Sequence, residues 1–505
     1  MSFNRTKSAT RTFVFGVVNK IITILFPFVT RTIIIYKLGA EYLGITSLFT
    51  SVLQILNVSE LGISSAISFC LYKPIAEDDK DTINALIGLM RKLYKFIGAF
   101  ILITGIMLLP FLNYLIIGNY PPDMNISVLY ILYLLNSAVS YLGFAYKGMV
   151  FEAFQQGDIN HKILSVVEIV KYIVQIVILL FYANYYWFAA MLPLGTVAVT
   201  IITEIISKKK HPNIIPRGEV SKETKNIIRQ KIFFLSAHSI AATLTNSIDN
   251  IVISGSMGLI ATAIYGNYFY IYSSVTSILV IAYRAIKPAI GNSVYTDRCE
   301  KKTDIIYAVQ FLCAWIIMWC ATCLLCLYQP FMEIWVGEKY LLQISTVIII
   351  VLYFYGNALK LLYSNIFIGI AGLWNKTLIR QIAVAIINLV LDILLVRKFK
   401  IAGIVFASFF ATTIVALPLD VSVSYKYVFS LPVKYGLLKL VRQLVASVLI
   451  CAFTYFICIS IPVTGIIRLA IRMLICLTLP NIIMIITCRN QKEYIYIKEH
   501  ILSLK

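Results

Sequence analysis

Long apolar runs recur along the whole 505-residue chain, and they constrain its fold more than any other feature. Most of these runs reach about 20 residues, the length that an α-helix needs to cross the hydrocarbon core of a bilayer. Apolar residues make up 60% of the chain and charged residues only 13%, which is too few to cover a water-exposed surface. The pattern predicts an all-α integral membrane protein with about fourteen transmembrane helices.

The predicted spans are separated by turn signals such as Pro121-Pro122 and Ile461-Pro462. The polar, basic start leads into a long apolar run without a short signal-peptide core, so we expect the first span to be retained as an anchor. The predicted spans are approximately 12–35, 43–70, 84–110, 126–147, 162–183, 186–207, 228–253, 261–288, 303–328, 342–370, 376–396, 401–425, 436–460 and 464–487.

The net charge of +21 is distributed unevenly between the two sets of loops. Lys and Arg concentrate on one side, which predicts that both termini are cytoplasmic. Arg397, Lys398 and Lys400 are the local exception, because they fall on the side that is otherwise poor in positive charge. The chain carries no recognisable nucleic-acid-binding module, so the charge indicates membrane topology and we expect no nucleic-acid partner.

The longest polar stretch, 208–227, lies near the middle of the chain and predicts a basic cytoplasmic linker. It would separate an N-terminal lobe of six helices, 1–207, from a C-terminal lobe of six helices, 228–426. Six is an even number, so both lobes enter the membrane from the same side and form parallel repeats. Residues 427–505 would form an additional transmembrane helix pair and a cytoplasmic tail.

A faint internal repeat supports this division. Leu38-Gly39 follows span 1, and Met257-Gly258 follows span 7. Tyr42-Leu43-Gly44 comes next in the first half, and Tyr265-Gly266 comes next in the second. The repeat makes spans 1 and 7 equivalent.

Lys20 and Arg31 are charged residues within span 1. They are eleven residues apart, so they lie within about 20° of one another on the helix and about 16 Å apart along it. A charge inside a membrane costs several kcal/mol unless it faces a cavity or a partner. The alternative for both is that they extend to the membrane interfaces at the two ends of the span.

Span 7 carries a similar polar stripe, with His238 and Asp249 also eleven residues apart. The two stripes would line a central cavity between the lobes. A register shift of one residue would make Asn250, rather than Asp249, the counterpart of Arg31.

Further ionisable residues lie within the spans or near their ends. Glu168 and Lys171 are three residues apart on one helix face, so they can pair with each other. Glu60 is either ion-paired or a proton carrier, and the sequence leaves this open. The basic residues of this group are Arg284, Lys287 and Lys360.

Several functional classes lack their sequence signals. The chain has no Gly-rich Walker loop, no potassium-channel filter and no catalytic triad or metal-ligand pattern. Cys320, Cys323 and Cys326 point to different sides of a helix, so we interpret them with Cys313 as small buried hydrophobic residues. We therefore expect no enzyme activity, no metal and no cofactor.

The chain resembles the oligosaccharide-lipid flippases of the multidrug/oligosaccharidyl-lipid/polysaccharide exporter superfamily over essentially its whole length. The similar stretches are Thr30-Arg31 through Gly44, Glu60-Leu-Gly62 through Ala66, Asp249-Asn250 through Ile253 followed by Gly258 and Tyr265-Gly266, and Asn388 through Leu395 followed by Ile401 through Ala407. The charged residues 397–400 depart from the family, whose corresponding loop is usually less charged.

The resemblance implies two six-helix lobes around a central cavity that work by alternating access. The implied substrate is a polyprenyl-diphosphate-linked oligosaccharide, such as an O-antigen, capsule or exopolysaccharide repeat unit, moved to the outer leaflet of a bacterial plasma membrane. The candidate substrate-binding residues are Lys20, Arg31, Arg284, Lys287 and Lys360. The candidate ion-coupling residues are Glu60, Asp249 and Glu168.

Two alternatives share this fold class: a peptidoglycan-precursor flippase and a cation-coupled drug exporter. An exporter of cationic drugs would need an acidic cavity, whereas the candidate cavity charges are mostly basic. A membrane glycosyl-lipid polymerase or ligase would need a large outer loop with catalytic groups, and the predicted outer loops are short. Expected partners are the lipid-linked substrate and membrane lipids, with a polysaccharide polymerase and glycosyltransferases as candidates.

Overall fold

The computed structural model describes residues 5–500 apart from 61, 119, 144, 297 and 298. The described residues are almost entirely helical and contain no strand. The helices are α1 (Arg5–Lys37), α2 (Ala40–Leu56), α3 (Ile63–Ala76), α4 (Lys80–Leu108), α5 (Ile126–Leu142), α6 (Gly148–Ala153), α7 (Gly157–Phe181), α8 (Tyr185–Lys210), α9 (Lys222–Thr296), α10 (Cys299–Val336), α11 (Ile344–Leu362), α12 (Gly369–Ala371), α13 (Trp374–Phe409), α14 (Leu417–Val423), α15 (Val433–Ile459), α16 (Gly465–Cys488) and α17 (Lys492–His500).

The all-α membrane fold predicted from the apolar runs is confirmed. Ten helical segments in the described chain are long and apolar enough to span a bilayer. Two of them, Ser239–Lys287 and Asn375–Phe429, have 49 and 55 residues, about twice the length of one span, so each accounts for two crossings. The shorter apolar helices α2, α3 and α5 complete a set of about fourteen, with α2 and α3 forming one broken span.

Predicted span 2, 43–70, is interrupted rather than continuous. A 3-10 turn at Asn57–Glu60 ends α2, and Gly62 adopts a left-handed conformation (φ 106°) before α3 begins. Only glycine enters this region without steric cost, which explains why a glycine stands at the break. The break places Glu60 on irregular backbone inside an otherwise apolar segment.

Sharp turns at glycine join consecutive spans in both halves of the sequence. Gly39 has φ 115° and ψ 164°, and Gly258 has φ 81° and ψ −176°. These two glycines are the pair that the sequence repeat makes equivalent, and they share one backbone region that is essentially restricted to glycine. Gly258 divides α9 into the segments 222–257 and 259–296.

The turn within α13 falls at Lys400, which has φ 53° and ψ −135°. The predicted loop 397–400 is therefore mostly helix, with Arg397, Lys398 and Lys400 all exposed at the turn between two spans. The turn therefore accommodates three cations without burying them. The side of the membrane on which these residues lie stays a prediction.

The chain forms two compact units, Met1–Gly266 and Asn267–Lys505. The first extends to Gly266 because the end of segment 222–257 and the start of segment 259–296 pack against α2. Both units expose large apolar side chains, such as Phe181 and Ile379, which suit contact with lipid. The lobes 1–207 and 228–426, the linker 208–227 and the terminal helix pair stay a prediction.

A buried ion pair that the sequence interpretation missed lies in the second unit. Arg380 of α13 contacts Asp420 of α14, and their side chains are 7% and 0% exposed. Burying a charge without a partner is strongly unfavourable. The opposite charges of Arg380 and Asp420 therefore stabilise each other in the protein interior. The pair thereby fixes α13 against α14.

We expect Asp420→Ala to destabilise the protein by about 3–5 kcal/mol, because Arg380 would be left as an uncompensated buried cation. Thermal unfolding of the purified protein in detergent measures this effect. Glu219→Ala is the matched control, since Glu219 is 85% exposed and lies 3.8 Å from Lys225. Its effect should stay below about 1 kcal/mol, and equal unfolding midpoints for the two variants would contradict a stabilising pair.

Candidate functional site

Arg31 lines a cavity of about 280 Å³ in the first unit. It lies on α1 together with Pro27, Thr30 and Ile34, which share one helix face through their spacing of three and four residues. The other walls come from α2, α5, α7 and α8. Among the described residues that line the cavity, Arg31 is the one that carries a charge.

Three hydroxyls form a network on one side of this cavity. Tyr133 of α5 donates to Thr46 of α2 (3.2 Å), and its hydroxyl lies 2.9 Å from that of Tyr185 on α8. Thr46 and Tyr185 also share a short hydrogen bond. Both tyrosines lie within electrostatic range of the Arg31 guanidinium. The network therefore holds hydroxyl oxygens near the cation in the membrane interior.

Amide side chains line the same cavity. Asn57 accepts a hydrogen bond from Ser137 (2.7 Å), and Asn136 accepts one from Thr196 (2.7 Å). Gln175 of α7 is fully buried and donates to the carbonyl of Phe188 (3.0 Å), while its own side-chain oxygen has no hydrogen-bond partner. The cavity thus offers both donors and acceptors to a polar ligand.

The sequence interpretation missed the residues of α5, α7 and α8 in this site. A signal was available for one of them, because Gln175 is an uncharged polar residue in the middle of an apolar run. Tyr133 and Tyr185 carried no such signal, because tyrosine is common in apolar helices and at membrane interfaces.

Segment 222–257 contacts α2 beside the cavity. Asn250 donates to Ser51 (2.9 Å), and Ser247 donates to Gln54 (3.1 Å), whose side chain lines the cavity. Asn250 therefore faces α2. Asp249 is instead 3% exposed, accepts a hydrogen bond from Tyr265 and is not among the cavity-lining residues.

Glycines allow the backbones to approach closely at this contact. A Cβ on Gly44 of α2 would lie 2.1 Å from the carbonyl oxygen of Leu259. A Cβ on Gly266 would lie 2.7 Å from the hydroxyl of Ser47 and 3.3 Å from the Arg31 guanidinium. Real Cβ atoms do not come this close to backbone, so position 44 needs glycine in this conformation, whereas a Cβ on Gly266 would require the Ser47 side chain to move.

Glu60 lies at the break between α2 and α3, surrounded by hydroxyls. One carboxylate oxygen accepts from Ser64 (2.7 Å) and Tyr94 (3.0 Å), and the other accepts from Tyr141 (3.2 Å). Glu60 has no ion pair within the described part of the chain. A hydroxyl can donate to a carboxylate or accept from a protonated carboxyl group, so this shell suits either state.

The structure joins Glu168 and Lys171, the pair predicted from their spacing. The ammonium lies 2.6 Å from the carboxylate, and it also lies 4.6 Å from the centre of the Tyr172 ring. Tyr172 and Gln175 of the same helix line the Arg31 cavity. Pairing accounts for both charges in the membrane, whereas the role of Glu168 in ion coupling stays a prediction.

The other predicted binding residues are not brought to this cavity. Lys20 is half-buried on α1 and does not line it. Arg284 is exposed and Lys287 half-buried on segment 259–296, and Lys360 is partly buried on α11 near Arg380. These three belong to the second unit. The side chain of His238 lies outside the described residues.

A larger cavity of about 710 Å³ lies in the second unit between α10, α15, α16 and α17. Its walls, like those of the Arg31 cavity, are mostly apolar. Lys439 pairs with Glu493 (3.1 Å) at its polar end and lies 3.8 Å from the centre of the Tyr307 ring. The Lys439 cation is thus neutralised by the Glu493 carboxylate.

No family model matches the chain, and no curated protein matches it in sequence. Its fold, however, is similar to solved structures of transporters. The lipid II flippase MurJ in an inward closed conformation superposes with a TM-score of 0.67 at 13% identity, over 95% of this chain and 99% of that one. A multidrug resistance transporter of the MATE family and MOP superfamily, in an inward-facing conformation, gives 0.61 at 14% identity over 85% and 98%.

A MOP superfamily transporter from Pyrococcus furiosus, described as having a binding pocket of reverse polarity, gives a TM-score of 0.55 at 14% identity. The match covers 87% of this chain and 96% of that one. All three structures are matched over nearly their whole length. Their sequence identities to this chain are low, so the matches establish a shared fold and not a shared activity. The chain therefore has the fold shared by the lipid II flippase MurJ and the MATE transporters.

Proposed function

We propose that this protein is a membrane transporter that moves an anionic, lipid-linked substrate across the bilayer, specifically a polyprenyl-diphosphate-linked oligosaccharide. The observation that carries the proposal is Arg31, the one charged residue among the described lining of a hydroxyl- and amide-rich cavity. A guanidinium binds phosphate oxygens in pairs, with directional hydrogen bonds. Its charge and geometry suit a diphosphate.

The uncharged polar groups of the cavity suit sugar hydroxyls. Tyr133, Thr46 and Asn57 supply oxygens, and Gln175 has an acceptor without a partner. At about 280 Å³ the cavity lies near the lower end of small-ligand sites. It would therefore take the diphosphate and the adjoining sugar, while the polyprenyl chain stays in lipid.

A peptidoglycan-precursor flippase is the closest alternative, because its substrate is also a polyprenyl diphosphate. The basic cavity suits both substrates, so the choice between them rests on the sugar. A cation-coupled drug exporter fits less well, since no carboxylate lies among the described cavity-lining residues. A membrane glycosyl-lipid polymerase or ligase finds no support in the transporter fold.

Reconstituted vesicles would separate these alternatives. The purified full-length protein would be placed in proteoliposomes with a fluorescent polyprenyl-diphosphate oligosaccharide, with lipid II or with a cationic dye. Flipping of each lipid is measured by its accessibility to a membrane-impermeant quencher. We expect rapid flipping of the oligosaccharide lipid. Faster flipping of lipid II would favour the peptidoglycan role, and export of the dye alone would contradict an anionic substrate.

We propose that Glu60 couples this transport to protons, because three hydroxyls can stabilise its carboxyl group in either protonation state. In the same vesicles, Glu60→Gln should abolish acceleration by a pH gradient and leave the gradient-free rate within about threefold. Ser64→Ala, which removes one hydroxyl but keeps the carboxyl group, is the control and should retain acceleration. An undiminished gradient effect in Glu60→Gln would remove Glu60 from the coupling mechanism.

The proposed substrate implies the cellular setting. We propose a bacterial plasma membrane, cytoplasmic termini and an exchange of substrate with glycosyltransferases and a polysaccharide polymerase. The uneven loop charge supports this orientation. Reporter fusions at each terminus test it, and a reporter active only outside the cytoplasm would reverse it.

A further inference from the structure

Three cysteines from three helices converge in the second unit. They are Cys326 of α10, Cys458 of α15 and Cys476 of α16, each fully buried. Their sulfur atoms all lie within 4.8 Å of one another. The sequence interpretation considered only the cysteines of α10 and therefore had no reason to expect a cluster. Cys458 and Cys476 lie more than 130 positions after Cys326 along the chain.

A fourth thiol adjoins the cluster. Cys323 lies three residues before Cys326 on α10 and packs against the three buried cysteines. The Cys476 thiol contacts those of Cys323, Cys326 and Cys458. Two other cysteines of α10, Cys313 and Cys320, are not part of this cluster, as the helical rotation predicts.

The spacing matches a tetrahedral metal site. A zinc–thiolate bond is about 2.3 Å long, which puts the sulfur atoms of a tetrahedral site about 3.8 Å apart. The sulfur atoms of Cys326, Cys458 and Cys476 lie within 4.8 Å of one another, close to that spacing, and Cys323 packs against them. Four thiolates from three helices would close the coordination sphere, which is typical of structural sites.

A half-buried cation lies beside the thiols. Arg472 lies one turn before Cys476 on α16, and its guanidinium donates to the carbonyl oxygen of Cys326 (3.4 Å). Its Nε is buried and has no hydrogen-bond partner. A divalent ion with four thiolates carries a net charge of −2, so a nearby guanidinium would offset half of it. Four neutral thiols would give this arginine no such role.

We propose that Cys323, Cys326, Cys458 and Cys476 bind one thiophilic d10 cation of the zinc type, with Arg472 as the outer partner that offsets the thiolate charge. Binding releases the thiol protons and joins α10 to α15 and α16. The site is structural, since its ligands leave no position for a substrate. It is independent of the Arg31 cavity.

Cadmium is a suitable probe, because cadmium–thiolate coordination produces an ultraviolet charge-transfer band. We expect the reduced, full-length protein in detergent to bind one Cd²⁺ per chain, in competition with Zn²⁺. Cys476→Ser should weaken binding by at least about 100-fold, and Arg472→Gln by about 10-fold, the range found for outer partners. Cys320→Ser, on the same helix but outside the cluster, should bind as the wild type does.

Thermal unfolding supplies a second readout that does not depend on absorption. Cd²⁺ should raise the unfolding midpoint of the wild type and of Cys320→Ser, but not that of Cys476→Ser. If Cys476→Ser aggregates on size-exclusion chromatography, Cys458→Ser takes its place, because it removes a ligand from a different helix. Equal Cd²⁺ binding by wild type and ligand variants, no binding by the wild type, or a disulfide within the cluster of the freshly purified protein would overturn the proposal.

Discussion

Replacing Arg31 with alanine is expected to reduce flipping of a polyprenyl-diphosphate substrate by at least about 30-fold. Removing one member of a buried charge pair costs about 2–5 kcal/mol or more, and each 1.4 kcal/mol corresponds to about a factor of ten. Arg31 is the charged residue of the described cavity lining, so no other lining cation can replace it. Initial flipping rates in proteoliposomes measure the loss.

Arg31→Lys separates charge from geometry. Lysine keeps the positive charge but loses the paired hydrogen bonds of the guanidinium, so we expect an intermediate rate. Arg91→Ala is the matched control, because Arg91 is exposed on α4 and lines neither described cavity. It should transport at the wild-type rate.

The same variants have a cellular readout. Arg31→Ala should abolish export of the surface polysaccharide while the protein stays in the membrane at its normal level. Normal export by Arg31→Ala, together with a full flipping rate in vesicles, would remove Arg31 from the mechanism. A low protein level would instead indicate a folding defect, which the vesicle assay on purified protein bypasses.

Replacing Gly44 with alanine should disfavour the observed conformation of the first unit and slow transport. The added Cβ would lie 2.1 Å from the carbonyl oxygen of Leu259, a backbone atom that cannot rotate away as a side chain can. Overpacking of this kind typically costs about 1–3 kcal/mol. The population of this conformation should therefore fall by about 5- to 150-fold relative to its alternatives.

Cysteine cross-linking measures that population. Ser51 and Asn250 are hydrogen-bonded at 2.9 Å, so cysteines at these two positions should cross-link when α2 packs on segment 222–257. Gly44→Ala should lower the yield. Gly16→Ala on α1 is the control, because its Cβ would meet only the His161 ring at an ordinary 3.5 Å. Unchanged cross-linking and transport in Gly44→Ala would show that the close approach is dispensable.

The outcome for the intramembrane charges shows what could be predicted from local sequence. Glu168 and Lys171 pair as expected, because residues three apart on a helix are always neighbours. Their pairing needs no knowledge of other helices. Asp249 and Asn250 differ by one residue, and the structure shows that Asn250 faces α2. Which of the two residues faces α2 depends on how segment 222–257 is rotated about its axis relative to α2.

Distant partners were missed for the same reason. Asp420 escaped notice as an isolated charge near the end of an apolar run, although it contacts Arg380 forty residues earlier. The cysteines of α10 alone cannot converge because the helix rotates them apart, but Cys458 and Cys476 of later helices form a cluster with Cys326. Sequence separation hides such contacts, and no periodic pattern marks them.

The amino-acid sequence by itself determined that the chain is an α-helical membrane protein of about fourteen spans and that Arg31 lies in one of them. It could do so because transfer of a segment into lipid depends on the composition of that segment alone. Only the tertiary structure decided that Tyr133, Tyr185 and Gln175 surround Arg31. Lipid and the protein interior are similarly apolar, so hydropathy does not distinguish the face of a helix that meets protein from the face that meets lipid. Packing makes that distinction, and with it the site.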